Sequence, residues 1–338
     1  MKTYSNVTLV PRVKSNVLHR GDCNTSVKLR SNIIASVPII ASPMPDICNG
    51  EMAGVMAYYG GIGIIHRFQS IDEQIAQFKL AKKYLFTSAM DSLQKNIGCA
   101  IGATGDYLDR FNRLWNEGCS MFCLDTANGA NIQVEKAINA ITQEWISTGR
   151  AEVISPFLIA GNVATKEQFS FLASLKVDAI RVGIAGGSVC ETRTETGVYL
   201  PTLESVCEIH NWKIDRPLII ADGGIQTPSD MCKALACGAD LIMAGRIFAG
   251  YKETPGMIQK WDGILYKSYR GAASYGVQQE FSNEKPDFSE GDETLVVYQN
   301  KSIAKVLSRF KAGLQSSMSY MDALNLDEYR QNVFVEKL

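Results

Sequence analysis

The sequence lacks a surplus of either charge. Its 338 residues carry 34 Lys and Arg against 35 Asp and Glu, a formal net charge of −1. That argues against the broad basic face of a nucleic-acid binder, while leaving room for a local patch that holds a small anion. Apolar runs of about 18 residues are also missing, so no membrane span is expected. The stretch Met1–Val10 is polar and strand-like and lacks the layout of a signal peptide. Nine cysteines are present, but they follow no framework spacing: Cys119 and Cys123 are four apart, Cys232 and Cys237 five. No histidine stands near them at zinc-finger spacing, which sets structural zinc aside. A reducing, cytoplasmic setting is expected.

What the sequence does have is a repeated alternation. Short apolar runs fall at Val37–Ser42, Gly61–His66, Gly98–Gly102, Ser120–Asp125, Phe157–Asn162, Asp178–Gly183, Pro217–Asp222 and Asp240–Gly245. They are rich in Ile, Val and Leu with little polar alternation, as are parallel strands covered on both faces. Between them, amphipathic stretches predict helices at Ile71–Tyr84, Asp106–Glu117, Gln133–Ser147, Lys166–Leu175 and Ser229–Ala236. A strand–helix unit repeated eight times predicts an α/β fold, a (β/α)8 TIM barrel, as one catalytic domain over residues 1–338. A doubly wound open sheet is the alternative; it needs fewer strands and a glycine fingerprint after the first, and none is there.

Several of the runs end in Asp125, Asn162, Gly183, Asp222 and Gly245. Barrel active sites sit at the carboxyl ends of the strands, so these residues mark one rim as the candidate site. After Gly250 the pattern changes. Lys252–Gly263 predicts a loop and turn, and Tyr266–Gln278 gives a mixed signal. Gln279–Thr294 is charged and poor in apolar residues, which predicts a surface flap over about 276–296. A linker without a role is the alternative there. An amphipathic helix, Ile303–Gln315, follows.

Chemistry concentrates in Gly187-Ser188-Val189-Cys190-Glu191-Thr192-Arg193, after the apolar run Ala179-Ile180-Arg181-Val182-Gly183. A thiol in a glycine-rich loop at a strand end is placed to attack an electrophilic carbon, and the glycines let backbone N–H groups approach an anion. Ala221-Asp222-Gly223-Gly224-Ile225 and Met243-Ala244-Gly245-Arg246 end the seventh and eighth runs. Loops after the last two strands are the usual phosphate site of a barrel. Arg246 could add a charge-assisted hydrogen bond, and Asp222 suits ribose hydroxyls. Together they suggest a nucleoside monophosphate.

These segments resemble the IMP dehydrogenase/GMP reductase family over nearly the whole chain. The likeness rests on Leu9-Val10-Pro11, Ser42-Pro43-Met44, Gly60-Gly61-Ile62-Gly63-Ile64-Ile65-His66-Arg67, the Cys190 loop, Ala221-Asp222-Gly223-Gly224-Ile225 and Tyr266-Lys267-Ser268-Tyr269-Arg270-Gly271. The resemblance implies that Cys190 attacks C2 of a purine nucleotide and that a nicotinamide cofactor exchanges a hydride there. Three features favour the reductase. Leu124-Asp125-Thr126-Ala127-Asn128-Gly129 is similar to the reductases' Asp-x-Ala-Asn-Gly. No Arg lies between Arg270 and Arg309, where dehydrogenases keep an Arg-Tyr pair in the flap. The chain between His66 and Gly98 has no room for a CBS domain insertion, although some dehydrogenases also lack one.

By resemblance, then, Cys190 is the nucleophile, and Thr192 with Glu290 forms the acid that releases ammonia. Substrate contacts are expected from Ser42, Met44, Ser188, Asp222, Gly223, Gly224, Gly245, Arg246 and Tyr269, and around the base from Gly271, Ala272, Ala273 and Ser274. Cofactor contacts are expected from Arg67, Asp125, Thr126, Ala127, Asn162 and Gly183. The family implies NADPH, a K+-like monovalent cation on the backbone carbonyls of Ala185, Gly187 and Cys190, a homotetramer, and no nucleic-acid or membrane partner. The alternatives are an IMP dehydrogenase without its CBS domain, an inactive nucleotide-binding barrel, and a flavin-dependent barrel. Some positions depart from the family pattern. Ala272-Ala273 replaces Met-Ser or Met-Gly, Asp287 replaces an arginine, Arg246 replaces a glycine or serine, Ala185-Gly186 replaces Gly-Pro, and Tyr199-Leu200 replaces a shorter step. They leave a deoxynucleotide or a modified purine nucleotide open as substrate.

Overall fold

A computed structural model describes residues 1–85, 93–147, 155–211, 216–281 and 289–338. Eight parallel strands close into a barrel: Ile39–Ala41, Ile62–Ile65, Ile97–Ile101, Met121–Leu124, Phe157–Val163, Ala179–Val182, Leu218–Asp222 and Leu241–Ala244. They neighbour one another in chain order, and the eighth pairs with the first through Ile242 opposite Ile39. Nearly every residue in them is buried, because side chains point alternately into the barrel and outward under the helices. Each fully buried Ile, Val or Leu contributes about 1.5–3 kcal/mol.

Three of the described helices start at a capping box that the sequence supplies. Ser70 and Glu73 form a capping box before helix Ile71–Lys83, Thr165 and Gln168 one before Lys166–Ser174, and Thr227 and Asp230 one before Pro228–Ala236. Each box satisfies backbone N–H groups that a first helical turn leaves unpaired. Helices Tyr107–Asn116 and Ile132–Ser147 also fall where the pattern predicts them.

Two barrel helices escape the pattern. Gly50–Tyr58 buries Gly50, Met52, Ala53, Gly54, Met56 and Ala57, and Thr202–His210 buries six of its nine residues. A helix covered nearly all round has no polar face to set against an apolar one.

Outside the barrel, Val7–Val10 pairs antiparallel with Phe334–Lys337, and Val27–Arg30 with Ile33–Ala35. The mixed segment resolves into strand Ile264–Arg270 and helix Tyr275–Phe281. That strand is the middle of a sheet with Gln259–Trp261 and Glu293–Val297, so the predicted loop at Lys252–Gly263 holds a short strand as well. The predicted flap is thus a helix on one side and a strand on the other. Its middle, 282–288 with Asp287, lies outside the described residues. The helix predicted at Ile303–Gln315 runs from Ala304 to Tyr320. Among the described residues no helix is long and apolar enough to cross a membrane.

Candidate active site

The carboxyl ends of the barrel strands open into a cavity of about 670 Å³. Cys190 reaches it from the loop after the sixth strand. It is half-buried, whereas the other eight cysteines are buried. Burial pushes the thiol of Cys123 up to about 12 and that of Cys232 to about 11. Those buried thiols are held protonated and shielded from solvent.

Cys190 heads a short chain of polar groups. Its Sγ–H donates to Thr192 Oγ1 at 3.3 Å, and the Thr192 hydroxyl donates to Glu290 Oε2 at 2.8 Å. Thr192 and Glu290 are 98 positions apart in sequence. Backbone pairing brings them together. The N–H of Glu191 donates to the Glu290 carbonyl at 2.8 Å, and the N–H of Asp292 donates to the Val189 carbonyl at 2.9 Å. Gly291 also bridges to Cys190 and to Ser274. A Cβ on Gly291 would stand 2.6 Å from the Ser274 nitrogen, so this crossing requires glycine.

The two glycine loops line one end of the cavity. Gly223, Gly224 and Gly245 face it together with Ser188, Arg246 and Tyr269. The hydroxyls of Ser188 and Tyr269 lie 3.4 Å apart, and the Arg246 guanidinium sits 5.4 Å from the centre of the Tyr269 ring. Burial raises the Tyr269 phenol above its usual range, so it stays a neutral donor. Ser42, Met44, Gly271, Ala272 and Ala273 complete the lining on this side. Ser274 does not line the cavity. It is fully buried, and its hydroxyl accepts the Val277 N–H at 3.4 Å as helix Tyr275–Phe281 begins.

At the other end the cavity meets Arg67, Asp125, Thr126, Ala127, Asn162 and Gly183. Arg67 Nε is buried without a hydrogen-bond partner, 3.7 Å from Asp125 Oδ2. The orphaned donor suits an anionic group arriving from outside. Gly183 has φ 140°, and a Cβ there would fall 2.0 Å from the Asp222 carbonyl oxygen. Ala185 and Gly187 also line the cavity, Ala185 in a left-handed turn at φ 58°. The Gly187 carbonyl accepts the Cys190 N–H at 3.3 Å.

Asp222 is not the free acceptor that its sequence position suggests. Its Oδ2 receives Asn162 Nδ2, Arg181 Nε and Arg181 Nη2, each at 2.9 Å. Arg181 itself went unnoticed in the sequence, inside an apolar strand. It is 8% exposed and lines the cavity, and its Nη1 donates to Asp125 Oδ1 at 2.7 Å. Burial opposes its charge, but the carboxylates of Asp222 and Asp125 outweigh that and raise it well above the ordinary range. A lone charge within a buried strand was the available signal. Phe68 and Gln278 line the cavity as well and carried no signal of their own.

A family model described as IMP dehydrogenase / GMP reductase domain matches residues 1–338. The chain belongs to the IMP dehydrogenase/GMP reductase family. It is therefore an oxidoreductase of a family that acts on purine nucleoside monophosphates. A GMP reductase from Chromobacterium violaceum is 34% identical over 330 residues, covering 97% of this chain and 95% of its own. A GMP reductase from Lactobacillus delbrueckii is 32% identical, covering 98% and 93%. An inosine-5'-monophosphate dehydrogenase from Borreliella burgdorferi is 30% identical over 382 residues, covering 98% and 92%. The family's two activities are thus both represented among relatives at similar distance.

Proposed function

We propose that the chain is a GMP reductase: it deaminates GMP, or a closely related purine nucleotide, to IMP and ammonia with NADPH, through a covalent adduct of Cys190 at C2. The observation that carries this reading is the relay from Cys190 through Thr192 to Glu290. A reductase must put a proton on a leaving amine, and a carboxyl group acting through a hydroxyl can do that. The flap of a dehydrogenase must instead activate water, and no arginine lies between Arg270 and Arg309 for it.

The phosphate would rest on the backbone of Gly223, Gly224 and Gly245, with Ser188, Tyr269 and Arg246 donating. Asp222 would take ribose hydroxyls, and the base would lie toward Met44 and Gly271–Ala273. Sulfur of Cys190 bonds to C2 and its proton leaves to solvent. Glu290, as a carboxylic acid, passes a proton through Thr192 to the amino group, and the C2–N bond breaks to release ammonia. NADPH, when bound, supplies the hydride that C2 then takes up. The C–S bond then breaks and frees IMP. Arg67, Asp125, Thr126, Ala127, Asn162 and Gly183 would hold the cofactor, Arg67 meeting one of its phosphates. A K+-like cation on the carbonyls of Ala185, Gly187 and Cys190 would steady the loop. The chain would act as one domain with a flap, in the cytoplasm, within a homotetramer. Light scattering of the purified protein tests the last point.

Glu290→Gln provides the decisive test. GMP turnover, read as NADPH loss at 340 nm, should fall about 100-fold or more. GMP binding should stay nearly unchanged, and single-turnover hydride transfer between IMP and the cofactor should be largely spared, since no amine leaves in that step. Equal loss in both half-reactions would refute the assignment. NADH production from IMP by the unaltered protein, without GMP turnover, would favour the dehydrogenase.

A further inference from the structure

The relay accounts for Cys190, Thr192 and Glu290 but leaves the buried cation of the cavity without a task. Arg181 comes from the sixth strand and reaches the ends of two others. One arm of its guanidinium meets Asp125, at the end of the fourth strand, and the rest meets Asp222, at the end of the seventh. The two carboxylates serve different ends of the cavity. Asp125 stands by Arg67, and Asp222 leads into Gly223 and Gly224. A guanidinium is planar and rigid, so a fork shared between two carboxylates fixes each relative to the other. A buried cation is tolerated only when it is paired, so neither contact is free to lapse.

We propose that Arg181 is a positioning residue that couples binding at the nucleotide end to binding at the dinucleotide end. This rests on the reading of the two ends given above. A ligand that draws on Asp222 orients the fork, the fork orients Asp125, and the second ligand meets a carboxylate already set. Lysine at the position keeps the charge but offers a single point donor, which cannot span both partners.

The test measures GMP binding by calorimetry with and without saturating NADP+, a pair that cannot turn over because no hydride is available. In the unaltered enzyme NADP+ should tighten GMP by about fivefold or more. In Arg181→Lys that ratio should fall to one, with thermal stability retained. Asp125→Asn should weaken GMP binding in the unaltered background and have no further effect on GMP beside Arg181→Lys. This pattern is not produced by a residue that merely supports the fold. Should Arg181→Lys fail to fold, Asp125→Asn alone decides: unchanged GMP affinity overturns the coupling. Coupling that persists in folded Arg181→Lys, or its absence from the unaltered enzyme, overturns it too. If GMP does not bind the unaltered enzyme at all, the proposed function falls along with it.

Discussion

His66, at the end of the second barrel strand, shows how burial sets the behaviour of one residue. It is 8% exposed, and burial lowers its pKa from 6.5 to about 4, with Arg110 and Arg270 adding to the shift and Asp46 and Asp125 opposing it. The unfolded chain therefore takes up this proton near pH 6.5, and the folded chain only near pH 4. Between those values the unfolded state binds more protons, so stability is full above the window and drains away as pH falls through it. The loss is on the order of 3 kcal/mol. Urea unfolding at pH 7 and pH 4.5 should show it for the native chain and much less of it for His66→Gln. Parallel losses in the two proteins would count against this account. Legibility in sequence varied at this scale for a physical reason. Cys190 announces itself because a thiol in a glycine loop at a strand end has few other uses, and the family likeness adds Thr192. Glu290 is one acid in a charged stretch, and only the family likeness selects it. Arg181 is camouflaged by the apolar neighbours that bury it.

Elements were most legible where their surroundings are uniform. Six of the eight barrel strands fall within the predicted runs, and Ile97–Ile101 and Phe157–Val163 overrun theirs by one residue, because burial on both faces forces continuous apolar sequence. Helix Gly50–Tyr58 was hidden by the same burial. It lies so close to the second strand that a Cβ at Gly63 would stand 2.3 Å from the Ala53 Cα. Gly63→Val should therefore push helix and strand apart and cost about 1–3 kcal/mol or more. A thermal unfolding midpoint unchanged from native would disprove that packing. Helix Tyr275–Phe281 is held differently, by charge. Arg270 donates two hydrogen bonds of 2.9 Å to buried Asp46 and a third, at 2.8 Å, to Glu280 on the helix. The sequence could not show this, because Asp46 and Arg270 lie 224 positions apart.

On the scale of the whole molecule, one surface stands out. Strand register places Trp261 opposite Ile264, Val297 opposite Tyr266 and Leu295 opposite Ser268, so these apolar side chains share one face of the outer sheet. Trp261 is 68% exposed. With a net charge of −1 at pH 7, the protein loses its remaining charge just below neutrality. Repulsion between molecules is then weakest while the apolar face stays open. Static light scattering should rise as pH approaches that point, and Trp261→Lys should suppress the rise. A flat pH profile, or a variant that scatters like the native chain, would argue against it. The backbone pairing between the Cys190 loop and Glu290–Asp292 bears on how such a protein can change over time. The acid is registered against the nucleophile by the hydrogen bonds of Glu191 and Asp292, on its own side of the flap. That register is made by backbone groups alone. The side chains of Glu191 and Asp292 are therefore free to drift, or to be exchanged for engineering, while the reacting groups keep their spacing.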